Sequence, residues 1–440
     1  SGVAVKQIIA LSRATTDDAA TRGGAEPSLD VQLATPPEGY GHVLLSRDEN
    51  GVLSWHFPTS VPTDSTRGSE PLSVPMQRFT VPVATTYAAF GDGTRGVAAK
   101  AVNQVLKVLV YPFLEPIASA IGESLASTWE LQHRPYRVRA FVAGDSATAG
   151  ASALDDEGWR RMASGRSLLL LHGPFGRSHT TFAGWSADTL AALDAQYEGR
   201  VFAFDHSTIG HDPLRNAREL VARMPAGAAF DVDIVAHSRG GLVARMLVER
   251  QDDLALNDRT LRVGKVVLVG TPNAGTMLAE PEHLKTLLDC MTTIFDAIHG
   301  EPATEVLHVI VEVVKELAVG MYKGLSGIGA MAPKGEFLKA HNEGPQRVET
   351  QYFALASDFT PRDPALMALI TSKVLTKMLS GPNDLFVPTA SIAGANGSGM
   401  FPIAQQRTLT GLESASHFEL LSSAMVQDQL LSWLRAGLSS

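Results

Sequence analysis

After Tyr136, four short and almost unbroken apolar runs punctuate the chain, at residues 168–171, 201–204, 232–236 and 266–269. A strand that is apolar on both faces is what a buried parallel sheet requires, because helices cover each side of it. Helical patterns fill the intervals. One begins near Ser186 and sets Leu190, Leu193 and Tyr197 on one face. Another begins at Asp212-Pro213, an N-cap followed by a favoured first residue, and continues through Leu214, Ala217, Leu220, Val221 and Met224. Strand and helix alternate, which predicts an α/β fold with a doubly wound, mostly parallel sheet.

Before Tyr136 the pattern is different. Residues 14–38, rich in Thr, Asp, Ala, Gly and Pro, read as a loose segment. Short alternating stretches between Gly41 and Val83, separated by Asp-Glu-Asn-Gly and Pro/Gly punctuation, predict a small β-rich region. Residues 97–131 read as helical, with Val102, Val105, Leu106, Leu109 and Val110 three and four apart and breaks at Pro112 and Pro116. We therefore expect an N-terminal mixed α+β extension over 1–135 and a core formed by 136–276 and 346–440. A helical lid or cap insertion over 277–345 completes the division. Within the insertion, Val306, Val309, Ile310, Val313, Val314 and Leu317 form a wide apolar face that must be buried. Inserted after the fourth core strand, this segment should cover the carboxyl edge of the sheet. An extra structural layer or a dimer contact is the alternative.

Composition narrows the function classes. Across 440 residues, 45% are apolar and 19% charged, an ordinary globular balance. The net charge of −9, with no cluster of Lys and Arg, argues against a nucleic-acid partner. One cysteine, Cys290, excludes an intramolecular disulfide and a multi-thiolate zinc site, and reads as a buried apolar thiol. No pair of histidines has metal-ligand spacing with a supporting carboxylate, so no metal and no cofactor are expected. The most apolar window, 101–121, carries Lys107, Glu115, Pro112 and Pro116, too polar and too broken for a transmembrane span. The Ser-Gly-Val-Ala opening has no signal-peptide pattern, which points to the cytoplasm. The missing initiator Met leaves a removed leader open.

The third apolar run ends in Ala236-His237-Ser238-Arg239-Gly240-Gly241 and passes into Leu242-Val243-Ala244-Arg245-Met246-Leu247. This is strand, tight turn, amphipathic helix. A serine at that turn projects from the carboxyl edge of the sheet, where open α/β sheets bind their ligands. The turn is crowded, so its neighbours must be small, and Ala236 and Gly240 are. The helix start offers free N–H groups and a positive dipole end to an oxyanion. Ser238 is thus the candidate nucleophile.

These residues resemble the α/β-hydrolase superfamily, particularly bacterial lipases and esterases with an Ala-His-Ser-x-Gly-Gly nucleophile elbow. The resemblance covers about 136–276 and 346–435 and extends to Leu171-His172-Gly173-Pro174-Phe175-Gly176, Gly270-Thr271-Pro272-Asn273-Ala274-Gly275-Thr276 and Asn383-Asp384-Leu385-Phe386-Val387-Pro388. It implies that His417, in a late loop before a C-terminal helix, is the base that activates Ser238. The Asn-Asp-x-x-Val pattern implies Asp384 as the carboxylate that orients the base. Asp358, after the apolar run 352–356, is the alternative acid. Arg239 N–H is the expected first oxyanion donor. In the relatives the residue after His-Gly commonly supplies the second, but here it is Pro174, which has no N–H, so either Phe175 takes that place through a shifted loop or a side chain replaces it.

The expected activity is serine-dependent hydrolysis of carboxylic esters, as an esterase or lipase, through an acyl-enzyme. The partner is a small apolar acyl ester, with transient contact to a lipid surface compatible with the apolar insertion. Two other readings stand beside it: an acyltransferase using the same triad, and a hydrolase-fold binding protein with little turnover.

Overall fold

The computed structural model describes residues 4–11, 28–38, 40–59, 76–82, 104–112, 125–142, 150–299, 304–318, 325–343, 349–395, 399–400 and 402–435. It divides into two compact units. One comprises Ser1–Ile121, Lys285–Met321 and Asp363–Leu369; the other comprises Gly122–Leu284, Tyr322–Arg362 and Ile370–Ser440. The insertion at 277–345 is therefore split between them.

The first unit holds strands β1 (Ala4–Leu11), β2 (Ser28–Ala34), β3 (Tyr40–Arg47), β4 (Leu53–His56), β5 (Met76–Pro82) and β6 (Gln104–Pro112). They form an antiparallel sheet in the order β1-β6-β3-β4 and a β2-β5 pair. Two sequence expectations fail here. Residues 28–34, read as loose, are a strand. Residues 104–112, read as helical, are the strand β6. The spacing that suggested a helix is equally an alternation, with Leu106 and Val108 buried and Val105 and Lys107 exposed. β-branched residues and a cross-strand partner on each side settle that ambiguity for strand. Val102 and Pro116 lie outside the described residues. The helix Leu284–His299 docks on β4: Trp55 N–H donates to Asp289 Oδ1 at 2.7 Å and its indole N–H to Thr292 Oγ1 at 2.9 Å. Burial pushes the Asp289 carboxyl up to about 6. In the helix Thr304–Ala318, Val306, Val309, Ile310, Val313, Val314 and Leu317 are all buried, and Cys290 is a buried thiol.

The second unit is built on a seven-stranded sheet. Its strands are β7 (Arg137–Ala140), β8 (Ser167–Leu171), β9 (Val201–Asp205), β10 (Ala229–His237), β11 (Thr260–Val269), β12 (Gln351–Ser357) and β15 (Ile403–Leu409). A two-stranded ribbon, β13 (Gly394–Ala395) and β14 (Gly399–Met400), precedes the last. The order is β15-β12-β11-β10-β8-β9-β7, parallel throughout except for the edge strand β7. Successive residues of the central strands enter opposite cores. Leu169, Leu171, Ile234, Ala236, Val266 and Leu268 pack with the helices Pro213–Arg223 and Gly240–Glu249. Leu168, Leu170, Val235, Val267 and Val269 pack with the helices Ala187–Gln196 and Ala424–Arg435. Two buried faces are the reason these strands carry no polar alternation. Ser186 and Asp212 cap their helices as their sequence context predicts.

From β8 the chain moves to β9 on one side and then to β10 on the other, so a topological switch point lies between β8 and β10. That opens a crevice at the carboxyl ends of those two strands. The approach there is close: a Cβ on Gly240 would lie 2.6 Å from the carbonyl oxygens of both Leu171 and His172. Backbone cannot retreat as a side chain can. Gly240→Ala is therefore expected to destabilise the fold by about 1–3 kcal/mol, read as an earlier midpoint in chemical denaturation. An unchanged midpoint would show that the elbow is not packed in this way.

Candidate active site

Ser238 occupies the first residue beyond β10, and its backbone is left-handed, with φ 55°. Only six non-glycine residues have positive φ among the described residues, and three are at this crevice: Ser238, Phe175 (φ 61°) and Leu385 (φ 79°). Left-handed backbone is costly for a side chain with a Cβ, and a cluster of it marks a site that the surrounding fold holds in place. Ser238 N–H donates to Val269 O at 2.8 Å, and Gly241 N–H to Ser238 O at 3.0 Å, which ties the turn to the next strand and to its own helix.

The late loop brings His417 to this serine. His417 Nε2 lies 2.8 Å from Ser238 Oγ, and His417 Nδ1 lies 2.7 Å from Asp384 Oδ2. A carboxylate can only accept, so Nδ1 carries the proton and Nε2 presents its lone pair to the serine hydroxyl. All three side chains are buried, with Ser238 1%, His417 0% and Asp384 1% exposed. The second Asp384 oxygen accepts from Phe386 N–H at 3.0 Å and Val387 N–H at 2.7 Å, which fixes the carboxylate plane. Asn383 Oδ1 accepts Leu385 N–H at 2.9 Å, which holds the left-handed turn. The Phe386 ring stacks on the His417 ring at 5.2 Å, and Phe418 meets it edge-on.

The structure thus brings Ser238, His417 and Asp384 together. Asp358 is not in this chain of contacts: its N–H donates to Leu409 O at 2.8 Å, and with Ile370, Leu375, Leu379 and Asn383 it lines a cavity of 330 Å³. The Gly270–Thr276 motif supports the carboxylate loop from behind. Thr276 Oγ1 donates to Phe386 O at 2.6 Å, and Ser391 Oγ to Gly275 O at 2.7 Å. Gly270 leaves room for the His417 ring, which a Cβ there would meet at 3.1 Å.

The expected oxyanion residues are placed as follows. Arg239 N–H stands at the start of the helix Gly240–Glu249 and donates to no protein acceptor among the described residues. Its guanidinium is fully buried and donates to Gly327 O (2.6 Å), Asn216 Oδ1 (2.9 Å) and His211 O. Desolvation lowers its pKa to about 10, so it stays charged at neutral pH. Phe175 N–H is engaged, donating to Thr208 Oγ1 at 3.2 Å, while Arg134 Nη1 donates to Phe175 O at 2.7 Å.

Sequence reasoning missed what holds this second loop. Glu130, on the helix Leu125–His133, is a buried carboxylate with four bonds: from Ser207 Oγ (2.6 Å), Thr208 N–H (2.8 Å), Thr208 Oγ1 (2.7 Å) and Ile209 N–H (3.0 Å). It fixes the loop after β9 and, through Thr208, the Phe175 peptide. No local signal announces it, because the partners are 77 to 79 positions apart. Residues 125–134, read as part of the extension, belong to this unit.

Two buried histidines frame the elbow. His172 Nδ1–H donates to Gly173 O at 2.9 Å while its Nε2 accepts from His206 N–H at 3.1 Å. His237 Nε2–H donates to His417 O at 2.9 Å. Desolvation lowers their pKa values from the ordinary 6.5 to about 4 and about 3. The unfolded chain takes up protons as pH falls below 6.5 while the folded protein does not, so their stabilisation is complete above 6.5 and is lost toward pH 4 and 3. Stability measured by denaturation should fall steeply over that interval. In His172→Asn, whose amide can replace the bond to Gly173, the slope should lessen by about one proton, or about 1.4 kcal/mol per pH unit. An identical slope in the variant would contradict this assignment.

The sequence profile of the family described as a Domain of unknown function (DUF7379) matches residues 133–435. No curated protein sequence matches the chain. Among solved structures, it is similar to the mature lipase BlEst2 of Bacillus licheniformis (16% identity, TM-score 0.37, covering 61% of this chain and 91% of that one). It is also similar to EstA from Clostridium botulinum (14%, 0.42, 61% and 86%) and to lipase 1 from Pelosinus fermentans (13%, 0.40, 62% and 99%). Through the profile that spans its seven-stranded unit, the chain belongs to the family of the domain of unknown function DUF7379.

Proposed function

We propose that this chain is a serine hydrolase of carboxylic esters built on an α/β-hydrolase framework, with Ser238, His417 and Asp384 as its catalytic residues. The observation that carries the reading is the unbroken chain of short contacts from Asp384 Oδ2 to His417 Nδ1 and from His417 Nε2 to Ser238 Oγ. A carboxylate, an imidazole of fixed tautomer and a hydroxyl in that order are what nucleophilic acyl transfer needs.

Ser238 Oγ attacks the ester carbonyl while His417 Nε2 takes its proton. Asp384 holds the imidazole and stabilises the cation that forms. The tetrahedral intermediate collapses as His417 passes the proton to the leaving alcohol, which leaves an acyl group on Ser238. Water, deprotonated in turn by His417, releases the acid. The negative charge on the carbonyl oxygen is met by Arg239 N–H at the positive end of its helix. Phe175 N–H is the second donor in this scheme, exchanging Thr208 Oγ1 for the developing oxyanion. The aromatic rings of Phe386 and Phe418 beside His417 favour an apolar acyl substrate.

Hydrolysis of a p-nitrophenyl ester series, acetate to palmitate, tests the reading. Wild type should turn over at least one member and Ser238→Ala none, and the preferred chain length separates esterase from lipase. Asp384→Asn should keep the fold and lower kcat by about 10⁴. Full activity in Ser238→Ala would refute the assignment.

A further inference from the structure

The base sits in a stretch without regular structure. Between β15 and the helix Ala424–Arg435, the chain forms only two short turns, Gly411–Glu413 and Leu420–Ser422. No strand ladder fixes His417 there, so its position depends on individual bonds. Three involve its own atoms besides the contact with Ser238. Two come from Asp384, whose backbone O accepts His417 N–H at 2.9 Å and whose Oδ2 accepts Nδ1–H. The third is the bond from His237 Nε2–H to His417 O at 2.9 Å.

We propose that His237 is a positioning residue for the base: by donating to the main-chain carbonyl of His417, it locks the base loop to the nucleophile elbow. This rests on the reading of Ser238 and His417 as nucleophile and base. His237 and Ser238 are consecutive, so a single dipeptide carries the nucleophile and anchors the group that must deprotonate it, 180 positions along the chain. A carbonyl can only accept, so His237 Nε2 carries a proton, and burial of the ring keeps it neutral. The two rings are 4.9 Å apart between centroids. Movement of the base loop is therefore resisted on both flanks, by Asp384 and by His237, and the Ser238–His417 distance of 2.8 Å is set by a short closed circuit of bonds. An apolar residue at 237 would fill the same space but leave the circuit open. The bond acts on placement of the base, not on substrate binding, so it affects kcat and leaves KM alone.

The test compares wild type, His237→Phe and His237→Gln in the full chain. Phe keeps the ring without the donor; Gln keeps an N–H at a similar reach. Two readouts are taken: steady-state hydrolysis of the preferred p-nitrophenyl ester, and amide hydrogen exchange of peptides covering residues 411–423. His237→Phe should lower kcat by about 10- to 100-fold with KM within about twofold, and should speed exchange in 411–423. His237→Gln should restore both. If Phe does not fold, as judged by its melting transition, His237→Leu replaces it. Wild-type kcat and exchange in the donor-free variant, or equal losses in the donor-free and Gln variants, would overturn the proposal. If wild type shows no Ser238-dependent turnover, the esterase reading fails by itself. The exchange data then decide the role of His237: faster exchange that Gln reverses supports it, and unchanged exchange overturns it.

Discussion

The left-handed turn at Ser238 is the constraint on which the rest of the site depends. β10 must end, reverse and enter the helix Gly240–Glu249 within three residues, and a φ of 55° at a serine is the geometry that achieves it. The turn persists because its surroundings leave no alternative. Gly240 is pressed on the carbonyls of Leu171 and His172, and Ser238 N–H is held by Val269 O. A buried parallel sheet with two apolar faces supplies the rigidity. Strain at one point is thereby balanced by packing over seven strands.

From that turn, the site is assembled by pairs of loops that hold each other. The Asp384 loop grips His417 through main chain and side chain, and the Gly270–Thr276 segment grips the Asp384 loop. On the other side of the crevice, Glu130 fixes the 207–209 loop, and Thr208 fixes Phe175. Each of these polar groups is buried, so an unmade bond would cost its full desolvation. Satisfied buried networks of this kind favour a single geometry around Ser238, His417 and Asp384. The left-handed backbone at Phe175 and Leu385 belongs to the same economy of fixed loops.

Much of this was legible in the sequence. Apolar runs without alternation named the strands β8, β9, β10 and β11, and Ser186 and Asp212 named two helix starts, because both signals are local. Ser238, His417 and Asp384 were nameable because each sits in a short motif at the end of a core element. Asp384 was preferred to Asp358 on its Asn-Asp-x-x-Val pattern, but that its carboxylate meets His417 is visible only in the coordinates. Residues 104–112 misled because a spacing of three and four in a β-branched run fits helix and strand alike. Glu130 and Arg134 were invisible for another reason: their bonds join positions 41 to 79 apart, and neither residue lies in a recognisable pattern. His237 was visible, but its bond to His417 O was not.

The chemistry proposed for this site stands on activation of Ser238 as a nucleophile by His417. The most direct measurement is peptide mapping by mass spectrometry after reaction of the folded protein with a fluorophosphonate. A single adduct is expected, on Ser238, forming at a greatly reduced rate in His417→Ala. No adduct under conditions in which the protein is folded, or an adduct on another serine with Ser238 unmodified, would contradict it.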